Sequence, residues 1–241
     1  MIIDMHCHIL PGVDDGAESM EDALALAQQL LDSGITHVVA TPHYNYYGSA
    51  TLEEIKNAYL QLTDTLEYEQ LPLRVQLGME ILASEDLPER LKAGKVWTYP
   101  GSRYFLVEFL PRRSLEYMDR VLTQCEEAGF LPVIAHPERY YGILEDPRIL
   151  WKWKQRGYGI QLNRDSLFGG FGEQTAHCAW YILRQRMVNC IASDAHDPVV
   201  RNGDWRRAFD VFDRECDPQK IRRCVSTVPH KILNDSLLIE K

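Results

Sequence analysis

His6 and His8 occupy alternate positions of Ile2-Ile3-Asp4-Met5-His6-Cys7-His8, an apolar-rich segment that predicts a strand. Alternate residues of a strand leave the same face, so two imidazoles converge on one spot. Neutral imidazole suits Zn, Mn and Fe ions, and the segment runs directly into a carboxylate-bearing turn, Pro11-Gly12-Val13-Asp14-Asp15-Gly16. The bland alternative is a His-x-His pair that merely finishes a sheet edge. The rest of the chain separates the two readings, because nearly every other predicted strand also ends in a residue able to bind metal. Val38-Val39-Ala40-Thr41-Pro42 leads into His43, Gly78-Met79 into Glu80, Val107 into Glu108, Ala135 into His136, and Ala192-Ser193 into Asp194-Ala195-His196.

Those positions matter only if the elements bring them together. Segments rich in β-branched and apolar residues predict strands at 2–6, 36–41, 73–80, 103–109, 131–136, 159–163 and 189–194. Helical periodicity fills the gaps at 19–34 (Ser19 as cap, Gly34 as stop), 51–69, 114–129 (Ser114 cap, Gly129 stop), 146–157 (Asp146 cap, Pro147 first) and 173–187. Regular alternation of strand and helix implies parallel strands joined by crossovers, and seven such units favour a closed α/β barrel over a doubly wound sheet. In a barrel the carboxyl ends of the strands open into one crevice, so five histidines and at least three carboxylates meet there as a multinuclear metal site. One barrel domain is expected to take up residues 1–241. The glycine-rich stretch Phe168-Gly169-Gly170-Phe171-Gly172 has neither dinucleotide-binding nor Walker spacing and is expected to be a flexible βα loop.

Composition narrows the partners. A net charge of −9 argues against nucleic acid and against anionic membrane surfaces, which call for a basic face. An anionic substrate would need local positive charge, which bound divalent cations supply. No apolar run is long enough to span a bilayer and the N-terminus has no secretory pattern, so no membrane insertion and a cytoplasmic location are expected. The six cysteines form no C-x-x-C pair and are expected to be reduced thiols.

Taken together, His6-x-His8, Asp14-Asp15-Gly16, Thr41-Pro42-His43, Gly78-Met79-Glu80, Val107-Glu108-Phe109, Ala135-His136-Pro137-Glu138-Arg139-Tyr140 and Ser193-Asp194-Ala195-His196 resemble the polymerase and histidinol phosphatase (PHP) superfamily. Within it the chain is most similar to the capsule-type bacterial protein-tyrosine phosphatases. The resemblance implies a distorted (β/α)7 barrel of PHP type holding three divalent ions, Mn first, with Fe, Zn or Mg as alternatives. It implies one metal on His6, His8, Glu80 and Asp194, a second on Glu80, Glu108 and His136, and a third on Asp15, His43 and His196. Asp15 is preferred to Asp14 because it directly precedes Gly16. Arg139 matches a substrate-binding arginine of the family, and Arg201 a second, with Arg206 or Arg207 as substitutes because the loop 197–202 departs from the pattern. The implied reaction is metal-dependent hydrolysis of phosphotyrosine in protein, the partner being the tail of a bacterial tyrosine kinase that regulates capsule or exopolysaccharide assembly.

The residue types suit that chemistry independently. Imidazole and carboxylate without thiolate fit Mn or Fe better than a structural zinc site. Three dications against Asp15, Glu80, Glu108 and Asp194 leave a positive centre that attracts phosphate. Such clusters lower the pKa of bound water, aim the resulting hydroxide at phosphorus and neutralise the phosphoryl oxygens. Guanidinium adds bidentate recognition. The competing readings are a small-molecule phosphatase such as one for histidinol phosphate, an amidohydrolase-type barrel, and a nonenzymatic binding barrel. An amidohydrolase would be expected to offer a ligating lysine after a middle strand, where this chain has Glu80 and Glu108. A complete ligand set argues against a nonenzymatic module.

Other residues invite over-reading. Cys178 to Arg184 and Cys216 to Arg222 have the C-x5-R spacing of cysteine-dependent phosphatases, but neither segment has the glycines of a phosphate-cradling loop, and both read as helix or helix entry. Cys7 alternates away from the imidazoles toward the core. His37, His177 and His230 fall away from the strand ends that form the site. Tyr46, Tyr47, Tyr140 and Tyr141 flank ligands and suit either a phenyl pocket or loop packing.

Overall fold

The apolar runs form short parallel strands whose residues are mostly buried, as strands covered on both faces require. The structure, a computed structural model, describes residues 1–44 and 50–238. Tyr46 and Tyr47 lie outside the described residues. The strands are β1 (Ile3–Cys7), β2 (His37–Ala40), β3 (His43–Tyr44), β4 (Arg74–Leu77), β5 (Glu80–Leu82), β6 (Tyr104–Glu108), β7 (Leu131–Ile134), β8 (Gly159–Asn163) and β9 (Cys190–Ala192). They pair in parallel in the orders β1-β2-β4 and β3-β5-β6-β7-β8-β9. β2 with β3, and β4 with β5, are successive pieces of one path, so the strands trace the seven predicted units. The ring closes where Cys7 bridges Ala195 in parallel and the Asp194 N–H donates to the His6 carbonyl at 2.8 Å. This is the distorted (β/α)7 barrel.

The strand expected over 73–80 is interrupted at Gly78 and Met79. A Cβ on Gly78 would stand 3.0 Å from a methyl of Val39, so a glycine lets the chain hug β2 and restart as β5. The restart sets the register in which Glu80 lies beside His43.

Around the strands run α1 (Met20–Asp32), α2 (Leu52–Tyr68), α3 (Leu87–Lys92), α4 (Leu115–Glu127), α5 (Tyr141–Glu145), α6 (Ile149–Gln155), α7 (Glu173–Arg184), α8 (Arg206–Glu215), α9 (Pro218–Arg222) and α10 (Val228–Leu233). Ser19 and Ser114 cap α1 and α4 as expected, and Thr51 forms a reciprocal capping box with Glu54. Two helices depart from expectation. The helix expected from Asp146 starts only at Ile149, because the Asp146 carboxylate accepts the N–H and the guanidinium of Arg148 instead of capping a first turn. The one expected to reach 187 stops at Arg184, and Arg186 follows with a left-handed φ of 60° that helix cannot continue through. The short α3 and α5, and α8 to α10 with their intervening π turn, have no counterpart in the sequence reading. Among the described residues no helix is long and apolar enough to cross a membrane.

Candidate metal centre

Each ligand candidate sits toward the carboxyl end of a strand path or in the loop after it, His43 and Glu80 where those paths restart as β3 and β5. His6 and His8 leave β1 on one side and are fully buried, with their Nε2 atoms 3.1 Å apart. The loop after β1 turns back because Gly16 permits it. A Cβ there would lie 2.2 Å from the His8 carbonyl oxygen, a distance no side chain tolerates. That close approach separates the paired aspartates. Asp14 accepts from His8 Nδ1 at 2.7 Å and from the His43 N–H at 2.9 Å, while Asp15 lies 3.6 Å from His43 Nε2 and 3.5 Å from His196 Nε2.

Among the described residues, three groups of donor atoms lie close enough to share an ion: His6, His8, Glu80 and Asp194; His8, Asp15, His43 and His196; and His43, Glu80 and Glu108. The first matches the set that the resemblance implies. In the other two the partition differs. His8 joins the Asp15 group, and His43 accompanies Glu80 and Glu108 where His136 was expected. His43 stands between two groups, with Nδ1 3.3 Å from both Glu80 and Glu108. His136 meets the other oxygen of Glu80 at 3.0 Å, because the chain leaves β7 through His136 in a left-handed conformation, φ 32°, that turns its ring onto that side. Asp194, at the end of β9, is also left-handed at φ 53°. Two non-glycine residues in this sparsely populated region, both aimed into one crevice, mark where backbone strain accompanies ligand placement.

Residues absent from the sequence reading orient these ligands. The Gln161 side-chain oxygen accepts the His136 N–H at 3.0 Å, which identifies it as the oxygen, and it lies 3.1 Å from His6 Nδ1. His6 Nδ1 must therefore carry the proton and leave Nε2 as the donor to a metal. His196 Nδ1 faces the Asp194 carbonyl at 3.0 Å, which leaves its Nε2 toward Asp15 in the same way. Asn163 donates to Asp194 Oδ2 at 2.7 Å. Only the inward alternation of Gln161 and Asn163 on β8 hints at this in the sequence.

The electrostatics fit divalent cations. Burial opposes charge on His6 and His43, yet the carboxylates of Glu80 with Asp194, and of Glu80 with Glu108, hold both at about 9. Burial would raise Glu80 and Asp194, but the charge of His6, with that of His43 on Glu80 and of Arg139 and Arg201 on Asp194, holds both well below the ordinary carboxylate range. Glu108 is pushed up by burial and then by Glu80. His136 and His196 are lowered to about 4, by burial first and then by the charges of Arg139 and His8 respectively. The carboxylates thus draw protons onto imidazoles that dications would displace. Among the described residues, the buried atoms Glu108 Oε1, His136 Nδ1 and His196 Nε2 have no hydrogen-bond partner. Orphaned buried donors and acceptors in one crevice, on hard-oxygen and imidazole residues, fit a metal centre.

Two arginines close the site. Arg139 and Arg201 each place Nη2 2.7 Å from Asp194 Oδ2, while Oδ1 faces His6 at 3.3 Å, so one carboxylate joins the metal side to the cationic side. The Arg139 guanidinium lies 3.6 Å over the Phe171 ring, and among the described residues the buried Nε atoms of both arginines have no hydrogen-bond partner. Arg206 is exposed and bound to Asp204, and Arg207 lies over Phe168, so neither of these substitutes reaches Asp194. Tyr140 is buried and donates to the Ala135 carbonyl while accepting the Phe109 N–H, which makes it a packing residue; Tyr141 is half exposed. Cys178 and Cys216 lie on or at the end of helices away from the crevice, and burial pushes the Cys178 thiol up to about 12. Cys7 turns from the imidazoles toward the Ala195 carbonyl, and His177 and His230 are exposed on α7 and α10.

Comparison with known proteins finds relatives over nearly the whole chain. Tyrosine-protein phosphatase YwqE of Bacillus subtilis (strain 168) is 32% identical over 216 residues, which span 89% of this chain and 85% of that protein. The crystal structures of YwqE from Bacillus subtilis and CpsB from Streptococcus pneumoniae, described as unique metal-dependent tyrosine phosphatases, include one that superposes with a TM-score of 0.89 at 30% identity, covering 98% of this chain and 96% of its own. Histidinol phosphate phosphatase from Lactococcus lactis, complexed with zinc, L-histidinol and phosphate, shares the fold with a TM-score of 0.56 at 13% identity, covering 88% of this chain and 93% of its own. The family described as capsular polysaccharide synthesis, CpsB/CapC, matches residues 2–234, and the chain belongs to that family.

Proposed function

We propose that this chain is a divalent-metal-dependent phosphomonoesterase that hydrolyses phosphotyrosine in protein. The observation that carries the reading is Asp194, whose carboxylate faces a His/Glu/Asp centre with one oxygen and two arginines with the other. Kinship with a metal-dependent tyrosine phosphatase over nearly the whole chain supports it. The donor set suits three ions, with manganese preferred because no thiolate takes part. His6, His8, Asp15, His43, Glu80, Glu108, His136, Asp194 and His196 are the proposed ligands. When bound, such ions supply a nucleophilic water of lowered pKa and neutralise phosphoryl charge. The protein's own groups do the rest. Arg139 and Arg201, held at Asp194, turn their open N–H donors to the phosphoryl oxygens, where charge grows in the transition state. Asp14 and Gln161 keep His8 and His6 presenting Nε2. We take the tail of a bacterial tyrosine kinase as the substrate, a choice in keeping with a family of capsular polysaccharide synthesis; the unpaired cysteines suit action in the cytoplasm, with residues 1–241 working as one barrel domain.

The test is elemental analysis of the purified protein joined to a screen of phosphate monoesters that includes phosphotyrosine peptides and histidinol phosphate. The expected result is divalent metal in the protein, turnover of the peptides, its abolition by chelation, and best recovery with Mn. Full activity of metal-free protein would overturn the reading.

A further inference from the structure

We infer that a cavity beside the metal centre is a subsite for a second anionic group on the substrate, an acidic or phosphorylated residue neighbouring the phosphotyrosine, with Arg207 as the recognising cation. The inference rests on the phosphotyrosine reading above. The cavity, about 500 Å³, lies between the loops that follow β8 and β9, on the face where the ligands gather, and is walled by Phe168, Phe171, Val200, Arg201 and Arg207. Arg201 belongs to both places, since its Nη2 is 2.7 Å from Asp194 and its guanidinium 5.9 Å from the Phe171 ring. An occupant of the cavity therefore shares a wall with whatever binds at Asp194.

Charge decides what that occupant is. The two carboxylates lining the cavity are engaged, Asp165 by Arg164 at 2.8 Å and Asp204 by Arg206. Arg164 is itself buried and donates to the carbonyls of Asn202 and Asp204. Arg207 differs. It is exposed, makes no ion pair among the described residues, and lies 4.7 Å over the Phe168 ring. The ring occupies the face of the guanidinium and leaves its edge, which carries the N–H donors, open to the cavity. In a protein of net charge −9, an arginine held by an aromatic ring with no carboxylate partner, next to a phosphoryl site, fits an anion that arrives with the substrate. The apolar walls formed by Phe168, Phe171 and Val200 accept the stem that carries it. A carboxylate and a second phosphate share this chemistry.

The experiment compares kcat/KM of the metal-loaded enzyme at low salt on phosphotyrosine peptides that differ only beside the phosphotyrosine: glutamine, glutamate, or a second phosphotyrosine. Wild type is expected to favour one or both anionic peptides by about fivefold, as one charge pair in partly solvated surroundings allows, and to lose that preference as salt rises. Arg207→Ala should level the peptides, Arg207→Glu should invert the order, and Arg207→Lys should keep part of it. The better of the two anionic peptides identifies the source of the charge. Equal kcat/KM in wild type, or a preference that survives both Arg207→Ala and Arg207→Glu, would overturn the subsite. So would a loss by one common factor on all peptides and on phenyl phosphate, which would assign Arg207 to the scissile phosphoryl group. If wild type hydrolyses phenyl phosphate but none of the peptides, the phosphotyrosine reading fails and the subsite fails with it.

Discussion

Arg139 shows how much one side chain is asked to do. It is fixed from two directions, by Asp194 at 2.7 Å and by the Phe171 ring at 3.6 Å, so its orientation costs little ordering entropy when substrate arrives. Arg139→Ala is expected to keep its metal, because the side chain holds no ion, and to lose about 10²-fold in turnover, the usual effect of deleting a preorganised donor to transition-state charge. Lysine at this position should restore only part, since a point charge cannot form the fork. Steady-state kinetics beside elemental analysis checks this, and parallel loss of metal and rate would make Arg139 a structural residue. The cysteines are the opposite case. With its thiol pushed up to about 12 by burial, Cys178 holds no thiolate at neutral pH. Cys178→Ser should turn over within a few-fold of wild type, and a loss of about 10²-fold in a folded, metal-replete variant would instead favour thiol chemistry.

At the scale of elements, the barrel depends on helices held at defined angles against the strands, and α4 and α6 are joined by one carboxylate. Asp119 on α4 accepts from Trp153 Nε1 at 2.9 Å and from Lys152 Nζ at 2.8 Å, both on α6. Trp153 is fully buried, so Asp119→Ala strands its indole N–H and should cost about 1–3 kcal/mol. Chemical denaturation at neutral pH checks the magnitude. Burial works to raise the Asp119 pKa, but its bonds to Lys152 and Trp153 win and hold it below the ordinary value. A carboxyl depressed on folding stabilises above its unfolded pKa, and that contribution is lost as pH falls through the folded value. The difference between wild type and Asp119→Ala should therefore be constant from neutral pH down to about 4 and shrink only below it. A difference that disappears by pH 6 would point to another group.

For the whole molecule, the metal centre lies across the seam where the barrel closes. His6 and His8 come from β1, the first strand, and Asp194 from the end of β9, the last, and the backbone joins them through Cys7 and Ala195. Ions held by the proposed ligands would tie the ends of the ring together and bind the folded state alone. An ion present at about 100 times its Kd adds about 2.7 kcal/mol, and in a chain of 241 residues each kcal/mol moves Tm by about 2–4 °C. Chelation should lower Tm by at least about 5 °C, and added Mn should restore it, as scanning calorimetry would record. An unchanged Tm after verified removal of metal would place the ions away from the seam.

Much of this was legible in the chain because it depends on neighbours. Alternation put His6 and His8 on one face, turn residues bounded each strand, and Ser19 and Ser114 announced helices through contacts three residues away. The strand-end candidates and the arrangement of seven units follow from such local signals, together with the rule that barrel strands gather their carboxyl ends. Tertiary structure alone decided how the candidate ligands group in space. Whether His43 or His136 completes a group depends on the break at Gly78 and on a left-handed turn at His136, and both are set by packing against other strands. It also decided that Arg201 and not Arg206 or Arg207 reaches Asp194, and that Gln161 orients His6 across 155 residues of sequence. The helices α9 and α10 leave no signal of their own for the same reason: short helices are marginal alone and exist because the barrel gives them a surface to bury against. A contact that distant leaves no periodicity in the chain, since its geometry is created only when the sheet closes.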